Sequence, residues 1–310
     1  MKVQSFENFS VYSEDDNNIF IHIDIEDEAK FYRDMFDYFF SESNLLKYVE
    51  NSKSLVFRPS KKGYTILAKE LKKYIDTEVM IQLQSIPNQE VKRILEDEGW
   101  WDNKCGNLQI RNDKAGKIGE YIFTCILREY FHFDCIIPKL HLATDYNMSI
   151  YGIDVVFYSA QDDLILFGES KVTKNIDNGI KLIKQSLGNY EKQISDEFEL
   201  VLSNRLYGRE LKGVPAKMLD AISECLTIEE FIDELKISRV GIPIFIAHGE
   251  EKDPKVILRK LQKIPRNRIL DRDTVYIAIS LPIIDKAKMM EVFASEISKK
   301  EQFYESSRTP

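Results

Sequence analysis

The amino-acid sequence predicts a mixed α/β fold, a central sheet flanked by helices, on three observations. Short runs rich in isoleucine, valine and aromatic residues alternate with longer stretches whose apolar residues recur every three or four positions, the patterns of strands and amphipathic helices. The stretch YGIDVVFYSAQDDLILFGESKVT, residues 151–173, reads as a β-hairpin, two short apolar arms bounded by Gly152 and Gly168 and joined by a polar turn over residues 159–163. The chain has 310 residues, 44% hydrophobic and 30% charged, enough to bury the core of one large domain or two modest ones.

From the N-terminus, IFIHIDIED over residues 19–27 alternates apolar and polar positions as a half-buried strand, and AKFYRDMFDYFF over residues 29–40 follows as a helix. Residues 55–58 read as a short strand, and residues 61–75 and 88–99 as helices, the second started by Pro87 and Asn88. Trp100 and Trp101, at the end of that helix, are expected in the core rather than on a docking surface. The polar, turn-rich stretch 101–117 sets a boundary near residue 110. It divides an N-terminal α/β region, residues 1–110, a candidate for partner docking, from a larger domain, residues 111–310.

Residues 117–131 are apolar nearly all round, as in a helix inside the domain, and residues 133–138 form the next strand. Residues 139–150 lead into the hairpin. One long helix is expected over 176–198, with Ile176, Ile180, Ile183, Leu187, Tyr190 and Ile194 on the sheet-facing stripe. Helices follow over 209–225 and 227–236, the latter begun by a capping box of Thr227 and Glu230. Strands at 240–248 and 274–281, separated by a helix at 254–264, and a final helix at 285–299 complete the chain.

The candidate chemistry lies in the hairpin. A turn centred between Gln161 and Asp162 pairs Tyr158 with Ile165, Val156 with Phe167, and Asp154 with Glu169, so two carboxylates face each other. Lys171 shares the Glu169 face, while Ser170 points away and leaves its carbonyl near the carboxylates. Ile165 and Phe167 lie on the Glu169 face and Leu164 and Leu166 on the other, so the acids interrupt a strand that otherwise reads as buried. Buried charges must be paired or bind metal. A hard divalent cation, Mg²⁺ or Mn²⁺, held by Asp154, Glu169 and the Ser170 carbonyl, offsets the repulsion and activates a water towards phosphate. Lys171 then holds the nucleophile or stabilises charge in the transition state.

GID followed by GESK on successive strands resembles the D…(D/E)xK signature of the restriction-endonuclease-like nucleases. That resemblance implies a core ordered helix, strand, hairpin, helix, strand, with a central mixed sheet. It also implies a further carboxylate from the first core helix, for which Glu120, after Gly116 and Gly119, is the candidate; a helix N-terminal acid favoured by the macrodipole is the other reading of Glu120. With the mixed N-terminal part and the GxxGE helix at 116–120, the whole chain looks like the HamA family, the nuclease subunits of the Hachiman anti-phage defence system. The resemblance implies catalytic Asp154, Glu169, Lys171 and Glu120, DNA as substrate, and a HamB-like superfamily 2 helicase as partner.

Two other readings stay open: a regulatory subunit that keeps the fold without catalysis, and a nuclease for RNA or another phosphodiester. A net charge of −8 excludes a protein that coats nucleic acid by bulk electrostatics. Contact with DNA is then local or assisted. Lys181, Lys184, Gln185 and Lys192, on the outer side of the helix after the hairpin, are candidates for phosphates, and a second basic cluster spans residues 255–268; ordinary solvated faces are the alternative for both. The four cysteines and four histidines are scattered without metal or disulfide spacing. No stretch approaches the length of a membrane span and the first ten residues lack a signal core, so a cytoplasmic protein is expected.

Overall fold

The computed structural model describes residues 1–7, 9–15, 17–49, 55–74, 81–82, 100–102, 108–138, 155–159, 161–204, 218, 220–221, 224–249, 253–283 and 286–307. The chain opens with β1 (Lys2–Ser5), β2 (Phe9–Asp15) and β3 (Ile19–Ile25), then α1 (Glu28–Phe39), α2 (Glu42–Val49) and α3 (Lys61–Tyr74). Three short strands, β4 (Ile81–Gln82), β5 (Trp100–Asp102) and β6 (Leu108–Arg111), make a small sheet in the order β4-β6-β5. Helix α4 (Asn112–Glu129), β7 (Asp134–Pro138), and the hairpin β8 (Val155–Ser159) and β9 (Leu164–Thr173) follow. The last part holds α5 (Ile176–Leu187), α6 (Tyr190–Asn204), α7 (Ile228–Glu234), β10 (Arg239–His248), α8 (Pro254–Leu261), β11 (Asp273–Pro282) and α9 (Lys286–Ser306).

Eight strands form the main sheet in the order β1-β2-β3-β11-β10-β9-β8-β7. Its four central strands, β3, β11, β10 and β9, run parallel, and antiparallel hairpins extend both edges. The central parallel strands are near-continuous apolar runs, as expected of strands covered on both faces. One face packs α1, α3, α4 and α9 through Phe36, Leu67, Phe123 and Phe293. The other packs α5 to α8 through Ile183, Ile194, Ile232 and Leu258. Strand β9 alternates between them, with Leu164 and Leu166 in the first core and Ile165 and Phe167 in the second.

The expected order of helix, strand, hairpin, helix, strand is present as α4, β7, β8–β9, α5 and β10. Residues on both sides of position 110 contribute to one sheet and one core: β3 pairs with β11, and Phe40 packs on both Tyr121 and Phe293. Strands β1 and β2 were not anticipated, because their exposed or half-exposed residues carry little apolar alternation.

Three local expectations are corrected. Residues 55–58 form no strand: Pro59 lacks a donor, and Ser60 instead begins α3, its Oγ accepting from the Gly63 N–H at 3.0 Å. Trp100 and Trp101 lie on β5, and residues 83–99 before them lie outside the described residues. The helix expected over 176–198 breaks at Gly188 and Asn189, poor helix formers whose N–H groups turn back to Gln185 and Ser186. The break lets the hydroxyl of Tyr190, first residue of α6, donate to the Phe167 carbonyl at 2.8 Å, and all six predicted stripe residues remain buried. Helices α4 and α9 are longer than expected, starting at Asn112 and ending at Ser306. The helix expected at 88–99, the connection 139–150 and most of the helix expected at 209–225 lie outside the described residues.

Candidate active site

Strand β9 positions the candidate residues by simple alternation. Tyr158 pairs with Ile165 and Val156 with Phe167, the register expected from a turn centred between Gln161 and Asp162, and Val155 pairs with Gly168. Asp162 fastens that turn, its carboxylate accepting from the Ser159 hydroxyl at 2.7 Å. Asp154 lies outside the described residues.

Glu169 is 3% exposed and faces the core that α5 covers. Its Oε1 accepts from two donors: the Lys171 ammonium, in direct contact, and the Ser186 hydroxyl of α5 at 3.0 Å. A carboxylate removed from water needs such partners, since desolvation costs several kcal/mol per ion, on the order of what a well-placed pair returns. Lys171 is the more open member, with 27% of its side chain exposed against 4% for Glu169. Solvent and any incoming group thus reach the pair from the lysine side. Ser170 points to the opposite face and is buried there.

Ser186 was not among the residues expected from sequence. It is one of several polar residues on α5, and only the packing of that helix on β9 turns it towards Glu169. Glu120 belongs to a different layer. Its neighbour Gly119 lies so close to β9 that an added Cβ would sit 2.6 Å from Val172 Cγ2, and Val172 points away from the Glu169 face. Glu120 and Glu169 therefore belong to opposite faces of the sheet. Lys181, Lys184 and Gln185 lie exposed together on α5, and Lys192 lies exposed on α6, past the break.

A second polar cluster shares the Glu169 face. Ser280 Oγ lies 3.0 Å from His22 Nδ1 and 2.8 Å from His248 Nε2, and all three residues are at most 2% exposed. The serine hydroxyl thus bridges the two imidazoles, the tautomer of each ring setting which group donates. Burial, and then the neighbouring His248, depress the pKa of His22 to about 3, so its ring is neutral in the folded protein. Ile246 separates this cluster from Lys171, being paired with Ser280 on one side and Lys171 on the other. Three strands far apart in sequence bring these residues together, which no local spacing reveals.

Cys125 and Cys225 are buried in the two cores. Burial pushes the Cys125 thiol up to about 12 and raises that of Cys225, and both are free. Among the described residues no three His, Cys, Asp or Glu side chains gather as a metal site, and no helix is long and apolar enough to cross a membrane.

Among curated proteins and among solved structures nothing matches the chain. A family model described as HamA matches residues 3–297, from the first strand through most of the last helix. With nearly the whole chain inside that match, and its central hairpin and helices in the expected order, the protein belongs to the HamA family, a component of Hachiman anti-phage defence.

Proposed function

We propose that the protein is a metal-dependent nuclease that hydrolyses DNA phosphodiesters in anti-phage defence, working with a HamB-like superfamily 2 helicase. The observation that carries this reading is the buried Glu169, fixed by Lys171 and Ser186 after the apolar run of β9. Family membership supports it.

The candidate donors fit a hard cation. The Glu169 carboxylate, the Ser170 carbonyl and the Asp154 carboxylate are all oxygens, the ligands Mg²⁺ and Mn²⁺ prefer. Such a cation, when bound, lowers the pKa of a coordinated water and offsets charge on the phosphoryl oxygens. The protein supplies the rest. Lys171, anchored to Glu169 and reachable from solvent, holds the attacking water or neutralises charge developing on the phosphodiester. Ser186 keeps the Glu169 carboxylate in one orientation. The acidic chain borrows most of its DNA affinity from its partner, since a net charge of −8 leaves counterion release only to local basic groups.

The test is incubation of the purified chain, alone and with the neighbouring helicase subunit, on supercoiled plasmid, linear DNA and RNA, with Mg²⁺, Mn²⁺ or EDTA. DNA cleavage that requires the divalent ion, is strongest with the partner, and disappears in Glu169→Ala without loss of complex formation is the expected result. Cleavage that survives EDTA or Glu169→Ala would overturn the assignment. RNA cleavage alone would move the substrate. Absence of all cleavage would leave a regulatory subunit, with Glu169 and Lys171 as a structural ion pair.

A further inference from the structure

Two basic segments that are separate in sequence meet in the fold. Lys181, Lys184 and Gln185 of α5 line one groove together with Lys263, which follows α8. The groove also holds one acid, Asp177, but its carboxylate accepts from Lys260 at 2.6 Å, so that charge is already matched. Lys181, Lys184 and Lys263 are exposed, and among the described residues no carboxylate pairs with them. In a chain of net charge −8, three lysines from two separate segments converge on this groove, with no carboxylate among the described residues paired to them.

Its form selects among anions. A single phosphate or a mononucleotide is usually cradled by backbone N–H groups at a helix N-terminus. Here that end of α5 is closed: Asn175 Oδ1 accepts from the Asn178 N–H at 2.8 Å, and Asp177 stands in the first turn. The lysines instead line two walls, with Lys181, Lys184 and Gln185 at helical three- and four-residue spacing and Lys263 opposite. Separated point charges along a groove suit successive phosphates of a strand, and Gln185 adds a neutral donor for phosphate or sugar oxygens.

We propose that this groove binds the phosphate backbone of a nucleic acid, as a site distinct from the Glu169 pair. The two lie on opposite flanks of α5: Ser186 reaches Glu169 on one side, and Lys184 lines the groove on the other. A helix is about 10–12 Å across, the axial length of about three phosphates of a duplex strand at roughly 3.4 Å each. The position of the groove relative to the cut therefore rests on the nuclease reading, while binding itself does not. A strand crossing α5 is held some three phosphates from the cleaved bond.

The experiment measures fluorescence anisotropy of a labelled strand of roughly 30 nucleotides and of its duplex with the full-length chain in EDTA, from about 25 to 200 mM salt. The variants are Lys181→Ala/Lys184→Ala/Lys263→Ala, the same three positions changed to Arg, and Lys61→Ala/Lys62→Ala/Lys69→Ala on α3 at the other face. The groove alanine variant is expected to lose about tenfold or more in affinity at low salt, and its log–log salt slope on duplex to become shallower by about 2 to 3. The arginine and α3 variants should follow the parent. Unchanged affinity and slope in the groove variant, or an equal loss in the α3 variant, would overturn the proposal. Inorganic polyphosphate that displaces the strand as well as unlabelled DNA does, at equal phosphate, would overturn its assignment to nucleic acid. Because EDTA removes the cation, these outcomes do not depend on cleavage. If binding falls as expected while Mg²⁺-dependent cleavage is never seen, the groove stands and the nuclease reading fails.

Discussion

Lys171 is where a catalytic pair and a structural pair make opposite predictions. If the ammonium acts on the phosphodiester, Lys171→Ala should lower the Mg²⁺-dependent rate by about 10² to 10⁴ with little change in melting temperature. If it only neutralises buried Glu169, its removal leaves an unpaired charge and costs about 3–5 kcal/mol of stability. Thermal unfolding and plasmid nicking of the variant, with partner and DNA present, decide between them. A variant that melts early yet nicks in proportion to its folded fraction sinks the catalytic role. His22 gives a pH prediction. Its folded pKa, about 3, lies below the ordinary 6.5, so the unfolded chain takes up a proton that the folded chain refuses. Its contribution to stability is complete above pH 6.5 and is lost as pH falls towards 3, by up to about 1.4 kcal/mol per unit. Denaturant unfolding at pH 7.5 and 5 should show that drop in the parent and a smaller one in His22→Asn; equal drops would refute it. Glu169 and Lys171 were readable from sequence because charges interrupt an apolar alternation. Ser186 and the His22, Ser280 and His248 cluster were not, since only tertiary packing joins them.

At the scale of elements, close approach rather than propensity fixes where α4 and α5 lie on the sheet. A Cβ at Gly119 would sit 2.6 Å from Val172 Cγ2, and one at Gly179 2.4 Å from Ile246 Cγ2. Both obstacles are β-branched side chains with stiff χ1 angles. Gly119→Ala and Gly179→Ala should therefore each destabilise by about 1–3 kcal/mol, although alanine favours a helix by up to about 1 kcal/mol. Gly116 has nothing within 4 Å of its added Cβ, so Gly116→Ala should raise the melting temperature. Melting curves of the three variants check the ordering, and a stabilised Gly179→Ala would contradict it. The hairpin register was readable because its turn and alternation are local. The break after α5 was not, since a continuous apolar stripe runs through Gly188 and hides the change of axis.

For the whole molecule, the sheet order makes the N-terminal strands part of the same structure as the candidate site. Removing residues 1–110 would strip β3 from β11 and take α1 and α3 from α9, exposing an apolar edge. Such a truncation is expected to aggregate, and a soluble, cooperatively melting 111–310 fragment would disprove this. The mixed α/β class was readable from sequence, but the place of the first strands was not, because their neighbour β11 comes from the other end of the chain. That separation also has a consequence during synthesis. His22 and Ser280 are 258 residues apart, so a ribosome adding about 5–20 residues per second leaves β3 waiting roughly 13–50 s for its neighbour. Until β10 is made, β9 likewise lacks the neighbour whose Ile244 pairs with Glu169, so this chain completes the strand environment of the site only late in translation.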